Sequence, residues 1–549
     1  MQRGNRSTHV ASCDVLVIGS GAAGLCAALA ASARGSSVVV IEKADVIGGT
    51  SALSGAGTWA PLHPHLEETG ATDSREEVLE YIRAVSPERW HNAEQARWEA
   101  FVDHAGPMIG FLEQYSPLRF KPNTEPDPYV EAPGGKRFGR MLSPQPLSRW
   151  RLKTWRRRIR GPSYVPYLNY GELCETPFMV RPLRGLLRLA PRLVYRLLTG
   201  QATMGTALVS GLLEGCLDHG CEVQLGTRAI ELIELSNRIA GVQVEGSSGS
   251  HRIDIGKAVV LATGGFEWDE EMRERHLSVP GEWIGSPSTN TGDGHKMAAA
   301  VGAKLDNMDQ ALIYGTTPAP YEGHVRGVPG SDYYLPHCII VGRHGRRFTN
   351  EKAMNFAAAF AERDPATGVS GHLPAWRIYD TQYARKYRHM LPHTGHGAEL
   401  VQAGSITELA QRIGLDADSL SQTIERFNGF ARTGVDEDFG RGATYWDTRR
   451  LADPYQQPNH TLGTLERPPF YAFPFKPSVL GTKGGPRTNE RGQVLTAEET
   501  VIPGLYAAGN VMANPFGTVG VGAGSTIGPV LTWGYICGLN AHEEPPTTT

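Results

Sequence analysis

The chain has 549 residues, 40% of them apolar and 20% charged, with a formal net charge of -3 at pH 7. That length exceeds one simple core and calls for two or three domains of the usual ~100–200 residues. The near-neutral balance excludes a protein built to coat nucleic acid, and the 65 glycines cluster in short motifs without a period, which excludes a fibrous or disordered chain and points to close backbone approach to a ligand.

Residues 1–11 are polar with no apolar stretch behind them, so no signal peptide is expected. Cys13–Gly19 reads as a short buried strand, too short to span a bilayer, and Ala22–Arg34 as an alanine-rich helix. Ser37–Ile41 is a second apolar run ending at Glu42, and this strand–turn–helix–strand order predicts a parallel unit. Ser74–Val85 and His91–Glu113 read as helices, whereas from Ser116 to Tyr170 frequent Pro and Gly predict irregular, lid-like structure. Met204–His219 predicts a helix; Cys221–Leu225, Arg228–Leu235, Ile239–Val244 and Arg252–Ile255 predict an antiparallel meander; Lys257–Ala262 predicts a strand running into Thr263-Gly264-Gly265. Asp293–Val301, Ser405–Gly414, Asp418–Thr433 and a closing Gly528–Gly538 read as helices, Leu505–Ala508 as a strand, and the polar tail His542–Thr549 as frayed. The seven cysteines are odd in number and widely spaced, without a C-x-x-C pair, so reduced thiols of a cytoplasmic protein are expected, and no metal site.

Gly19-Ser20-Gly21-Ala22-Ala23-Gly24 is a G-x-G-x-x-G directly after a strand and opening a helix. Its first Gly makes the tight turn, its second lets the backbone approach a pyrophosphate, its third lets helix and strand pack, and the helix N-terminus faces the phosphates. Glu42, about 20 residues on, is placed to accept hydrogen bonds from the ribose of an adenosine. The motif alone fits NAD or FAD. Gly48-Gly49-Thr50-Ser51, Ala262-Thr263-Gly264-Gly265 and Leu505-Tyr506-Ala507-Ala508-Gly509-Asn510 add distant segments that an extended dinucleotide such as FAD requires.

The order of G-x-G-x-x-G, E-K, G-G-T-S, A-T-G-G, T-G-D-G (Thr291–Gly294), R-R-F-x-N-E (Arg346–Glu351), G-T-K-G-G (Gly481–Gly485), L-Y-A-A-G-N and G-A-G-S-T-I-G resembles the fumarate reductase/3-ketosteroid dehydrogenase flavoprotein family over nearly the whole chain, residues 136–200 excepted. The resemblance implies an α/β fold: a Rossmann-like FAD-binding domain, discontinuous in sequence (residues 10–285 and 476–540), with an inserted α+β catalytic domain (286–475). It implies FAD contacts at Gly19, Gly21, Ala22, Ala23, Gly24, Glu42, Lys43, Gly49, Thr50, Ser51, Gly55, Gly57, Ala229, Thr263, Gly264, Gly509, Asn510, Ser525, Thr526 and Ile527. Some members attach FAD through a His beside G-G-x-S; Gly49–Gly55 carries none, so non-covalent FAD is expected.

The Arg and His residues with which fumarate-reducing members hold a dicarboxylate are absent, and G-T-K-G-G is similar to the ketosteroid dehydrogenase side. That branch takes a proton beside a ketone with a tyrosinate-like base, passes hydride to the flavin, and polarises the ketone with a Tyr hydroxyl and a backbone N–H. The N–H donor matches Gly524, and a Tyr before Pro133-Gly134-Gly135 matches Tyr129. The two other expected phenols fall on Gly520 and Asn355, so the substrate pocket is altered there, with extra room at Gly520; Tyr314, Tyr333, Tyr334 and His337 are candidate replacements or packing residues. Arg346 and Arg347 contact an anionic substrate or form a solvated or salt-bridged face, and Asp293 caps its helix. The expected function is desaturation of a cyclic or polycyclic ketone of steroid, terpenoid or polyketide type. The alternatives are an enoate reductase running in reverse and a non-catalytic flavin protein. The partners are a small hydrophobic carbonyl substrate and an electron acceptor that the sequence does not name, with no nucleic acid.

Arg149–Arg160 (R-W-R-L-K-T-W-R-R-R-I-R) and the Arg- and Leu-rich Arg181–Leu198 form a local basic insert. It reads as a basic face on a lid, as a peripheral membrane contact, or as an interface with an acidic partner. Pro182 and Pro191 are expected to break any long amphipathic helix here.

Overall fold

The computed structural model describes residues 12–547 apart from 162–166, 177–179, 248, 278, 280, 282, 331, 364–369, 392, 393 and 397. The reading of residues 1–11 lies outside these, as do the last two residues of the tail. We name the elements used below in chain order: β1 (Ser12–Ile18), α1 (Ala22–Ser32), β2 (Val38–Glu42), α2 (Gln95–Tyr115), α3 (Pro182–Leu198), α4 (Met204–Asp218), β3 (Glu222–Leu225), β4 (Arg228–Leu235), β5 (Arg238–Gly246), β6 (Gly249–Leu261), β7 (Gln493–Leu495), β8 (Val501–Ala507) and α5 (Ile527–Glu543).

The main sheet runs β7-β8-β6-β1-β2-β3, with β5 and β4 extending from β6. β1 lies at its centre, parallel to both β6 and β2, and its Val15, Leu16 and Val17 are fully buried, as a parallel strand covered on both faces requires. α1 is buried along its whole length. It crosses α5 so closely that a Cβ at Gly538 would lie 2.4 Å from the carbonyl oxygen of Ala27. The alanine-rich sequence thus serves close helix contact as much as helix propensity.

Four expectations are corrected. Glu222–Leu225 is not the first strand of a meander: after the crossover helix α4 it returns as β3, parallel to β2, as a strand–helix–strand connection dictates. Arg252–Ile255 and Lys257–Leu261 are one strand, β6. It pairs antiparallel with β5 in its first half and parallel with β1 and β8 further on, with a register shift opposite Cys13–Val15. The prolines of the insert do not break α3. Pro182 sits in the first turn, where its missing N–H costs nothing, and Pro191 lies on the exposed side while Leu189 and Arg196 anchor the helix inward. Nor is the tail frayed as far as it is described: Glu544 accepts from Gly504 N–H, and Thr547 N–H donates to the Gly256 carbonyl at 2.7 Å.

Among the described residues, the stretch between Ser116 and Tyr170 contains only short pieces, Phe120–Pro122, Met141–Pro144, Leu147–Ser148 and a 3-10 turn at Trp150–Arg157. Further along, Ala311–Tyr321 pairs with His324–Pro329 and Pro477–Thr482. A second antiparallel sheet orders Cys338–Val341, Ala375–Asp380, Phe470–Phe475 and Val401–Ala403, and the helices Ile406–Ile413 and Ala417–Thr433 pack on it. The mixed α/β fold thus carries three sizeable hydrophobic clusters rather than one.

Candidate active site

The C-terminal ends of β1, β2, β6 and β8 meet: Ile18 is paired with both Ile41 and Leu261, and Leu261 with Ala507. A cavity of about 1060 Å³ opens there, at the edge where α/β sheets bind ligands. Gly19, Gly21, Ala22 and Ala23 line it at the N-terminus of α1. Gly24 does not line it; a Cβ there would stand 1.9 Å from the Gly19 carbonyl oxygen, so it is the residue that lets helix and strand close on each other. Glu42 is fixed at the rim. One carboxylate oxygen accepts from the N–H and hydroxyl of Ser20 at 3.1 and 2.8 Å, and the other accepts from Ala44 N–H at 2.9 Å.

Lys43, Gly49, Thr50, Ser51, Gly55, Gly57, Ala229, Thr263, Gly264, Gly509, Asn510, Thr526 and Ile527 line the same cavity, whereas Ser525 is buried outside its lining. Two observations mark the cradle as built for a polar ligand. The Thr263 hydroxyl and the Asn510 amide oxygen are buried without a hydrogen-bond partner, a cost that a bound group relieves. The Ser51 hydroxyl already takes the Ala22 N–H at 3.1 Å, which positions G-G-T-S against the helix terminus. Asp293 is not the cap of its helix, a position taken by Gly292 without a side-chain cap bond; instead it holds Lys43 at 2.8 Å and Arg228 at 3.1 Å, tying the segment after β2 to β4.

Beyond the cradle the cavity continues into a chamber lined by Leu312, Tyr314, Val328, Met390, Leu391, Leu451 and Leu480. Its polar corner was not legible in the sequence. Arg450 donates to the Tyr170 phenol oxygen at 3.0 Å and is in ion-pair contact with Glu125. Desolvation lowers the Arg450 guanidinium to about 10, still charged at neutral pH. The Tyr170 ring lies against Gly55 and Gly57, close enough that a Cβ at Gly55 would come within 2.9 Å of it. Lys483 of G-T-K-G-G also lines the cavity, and burial brings its ammonium down to about 8. Behind the chamber Lys352 is brought down to about 7 by burial, against the pull of Asp447, and donates to the Arg450 carbonyl.

Of the expected catalytic side chains only Tyr314 lines the cavity. Tyr129 is 41% exposed and outside the lining. Tyr334 is buried behind it, its ring 4.9 Å from that of Tyr333, and burial raises its phenol far above the usual range. His337 shares a hydrogen bond of 2.8 Å with the Thr464 carbonyl, and burial lowers its imidazole. Asn355 is a structural tie: its amide nitrogen donates to Ala311 and Thr518 carbonyls at 3.0 Å each, and its oxygen accepts from Ile313 and Ala357 N–H. Gly520 opens no room in the chamber; Met354 stands 3.3 Å from where its Cβ would be. Gly524 does not itself line the cavity: its carbonyl accepts from Trp59 and Gly528 N–H, while Ala523 before it and Thr526 after it are lining residues. Arg347 is buried between Glu351 and Asp436, while Arg346 is exposed.

A dinucleotide cradle opening into an apolar chamber defines a flavin-type oxidoreductase site. The family model described as "FAD binding domain" matches residues 14–527, and the chain belongs to that family: it is an FAD-dependent oxidoreductase. It is 36% identical to a 3-oxosteroid 1-dehydrogenase of Mycobacterium tuberculosis, covering 97% of this chain and 98% of that one. It is 34% identical to a 4-oxocyclohexanecarboxylate 2-dehydrogenase of Sinomonas cyclohexanicum, covering 97% and 92%. Among solved structures it resembles a 3-ketosteroid delta1-dehydrogenase from Sterolibacterium denitrificans in complex with 1,4-androstadiene-3,17-dione, with a TM-score of 0.88, 30% identity, and 97% and 100% coverage. A flavocytochrome c3 fumarate reductase shares the fold at a TM-score of 0.62 and 22% identity, over 97% of this chain and 78% of that one. The kinship with the ketosteroid dehydrogenase side, expected from G-T-K-G-G, is therefore found.

Proposed function

We propose that the protein removes a proton and a hydride from adjacent carbons of a cyclic ketone, leaving a double bond next to the carbonyl. The observation that carries this reading is the continuity of the FAD cradle with an apolar chamber in which a phenol, Tyr170, receives a hydrogen bond from the buried Arg450. A cation donating to a phenol oxygen favours the phenolate, the form that can take a proton from a carbon beside a ketone. Tyr170 is thus the proton acceptor in this reading, with Tyr314 the second phenol and Gly524 N–H the donor to the ketone oxygen. Bound FAD supplies the acceptor for the hydride.

The relatives support a ring ketone as the common denominator. The 3-oxosteroid 1-dehydrogenase and the 4-oxocyclohexanecarboxylate 2-dehydrogenase that the chain resembles are both named for ring ketones, and the likeness to the former favours a steroid-like ketone as substrate. Glu42 holds the adenosine ribose and the G-x-G-x-x-G turn the pyrophosphate. The flavin is held non-covalently, because Gly49–Gly55 offers no His. We read residues 10–285 and 476–540 as the two parts of the FAD domain and 286–475 as the inserted catalytic domain.

The test is anaerobic mixing with 3-ketosteroids and with smaller cyclic ketones, following flavin absorbance. Bleaching by a saturated or mono-unsaturated ring ketone is expected. Flavin that no ketone bleaches, but that an enone rapidly reoxidises after chemical reduction, would overturn the proposed direction.

A further inference from the structure

We infer that Lys483 is the cation that balances the negative charge of reduced FAD, and so sets how readily the bound flavin accepts a hydride. Of the lysines lining the cavity, Lys43 is held by Asp293 at 2.8 Å. Lys483 is 2% exposed, and among the described residues no side chain or carbonyl is paired with its ammonium; burial alone acts on it. An unpaired ammonium out of water is costly, and an anion arriving beside it offsets that cost.

The fold fixes where that ammonium is offered. Lys483 N–H donates to the Gln310 carbonyl at 2.8 Å, and the Lys483 carbonyl accepts from Asn514 N–H at 2.8 Å. The next residue is closely packed, since a Cβ at Gly484 would lie 2.3 Å from the Met308 Cα. The first bond prolongs the pairing of Pro477–Thr482 with Ala311–Tyr321, so positions 481 and 483 present the same side of the strand. On that side a Cβ at Gly481 would stand 2.5 Å from the Asn510 amide nitrogen. Thr482 faces the other way and accepts from Phe266 N–H at 3.0 Å. Asn510 is the cradle residue whose amide oxygen is buried without a partner. An extended dinucleotide with its ribose at Glu42 and its phosphates at the glycine turn sends its ring to this end of the cradle.

A hydride brings two electrons and one proton, and its uptake leaves the flavin ring with one negative charge unless a second proton follows. A buried cation at the ring therefore favours the reduced form over the oxidised one. The coupling has a proton signature. Burial lowers the Lys483 ammonium to about 8, so below that pH it is charged before reduction, and two electrons bring in one proton. Above it the amine is neutral in the oxidised enzyme and regains its proton as the ring turns negative, so two electrons bring in two. The other ionisable groups facing this segment are Glu267 and His295. Glu267 lies against Gly481, and burial raises its carboxyl to about 7. His295 is 3.0 Å from the Gly484 carbonyl, and burial lowers it to about 4. Asp306 faces Arg487 at 3.7 Å, and Asp309 accepts from the Gln310 amide at 2.9 Å.

The experiment is chemical reduction of the full-length holoenzyme in equilibrium with reference dyes, without any ketone, from about pH 6 to about pH 10. The proteins are the parent, Lys483→Met, Lys483→Arg and Glu267→Gln. At pH 7 the Met variant is expected to lose about tenfold in the ratio of reduced to oxidised FAD, about 30 mV for a two-electron couple, while the Arg variant stays near the parent. The parent is expected to pass from one proton to two per electron pair above about pH 8, a step kept in Glu267→Gln and lost in Lys483→Met. A Met variant with the parent's potential overturns the inference, as does an Arg variant shifted equally far. So does a parent whose proton uptake stays at one throughout, a result that needs no variant. A step lost in Glu267→Gln and kept in Lys483→Met assigns the coupling to Glu267 instead. A Met variant that keeps the potential but loses affinity for a carboxylate-bearing ring ketone gives Lys483 to the substrate. The inference rests on bound FAD and not on the proposed ketone reaction: these potentials in an enzyme that no ketone bleaches would sink that reaction and leave Lys483 in its role.

Discussion

Arg450 reaches across the chamber to place a hydrogen bond on the phenol oxygen of Tyr170, whose ring rests on the Gly55–Gly57 backbone. The relationship brings a cation, a phenol and the cofactor cradle into one corner. Removing the hydroxyl by Tyr170→Phe is expected to lower kcat by about 10²–10⁴ while FAD affinity is kept. Arg450→Met, which removes both the donor and its charge from beside the phenol, is expected to move the alkaline-rising limb of the rate–pH profile upward, because loss of the cation disfavours the phenolate. Stopped-flow rates over a pH series decide. A Tyr170→Phe enzyme with full rate and an unmoved profile removes Tyr170 from the chemistry.

Glu42 is predicted to hold the adenosine ribose. Glu42→Ala is expected to weaken FAD binding by ~1.5–3 kcal/mol, the value of a charged hydrogen-bonding group. Titrating apoprotein with FAD measures this directly, and an unchanged dissociation constant would falsify the assignment.

Acid precipitation of the holoenzyme is expected to release all of its yellow colour to the supernatant. Colour that stays in the washed pellet means a covalent link, made by a side chain other than a His of Gly49–Gly55, since that segment has none.

Arg347 is predicted to matter for stability and not for substrate. Burial pushes the Glu351 carboxyl up, but Arg347 and Arg441 outweigh it and hold it below the usual range; burial and Arg347 act on Asp436 in the same way. Carboxyls depressed in the folded state stabilise it above their ordinary pKa of ~4, and that contribution is lost as pH falls through the folded value. Arg347→Met is expected to cost about 3–5 kcal/mol at neutral pH by leaving two buried carboxylates short of their partner. The gap to the parent should narrow below pH ~4, where the carboxyls protonate. Denaturant melts at pH 7 and pH 3.5 give the comparison; a gap that is equal at both sinks the argument.

The parts legible in the sequence were those written locally. The β1–α1–β2 unit follows from a run of apolar residues, a glycine turn and an acidic end, all within residues 12–42, and the cradle residues follow from motifs on single strands. Tyr170 and Arg450 lie in segments without periodicity, 280 positions apart, so no local pattern couples them. Family spacing pointed instead to Tyr129, Gly520 and Asn355, which the structure places outside the chamber lining. A four-residue run such as β3 does not reveal its pairing partner, and proline tolerance in α3 depends on which side of the helix meets water.

β6 is shared: its first half belongs to the hairpin with β5, and its end accepts β8 from the far end of the chain. At ribosomal rates of ~5–20 residues per second, Asn510 and Thr526 emerge roughly 25–100 s after the glycine turn that they face. Once Thr263 and Gly264 have followed β6, the nascent chain still lacks the wall that β8 and α5 supply. Flavin loading is therefore a late event in the life of each molecule, and a chain stalled before β8 carries no complete cradle however well its first domain has folded.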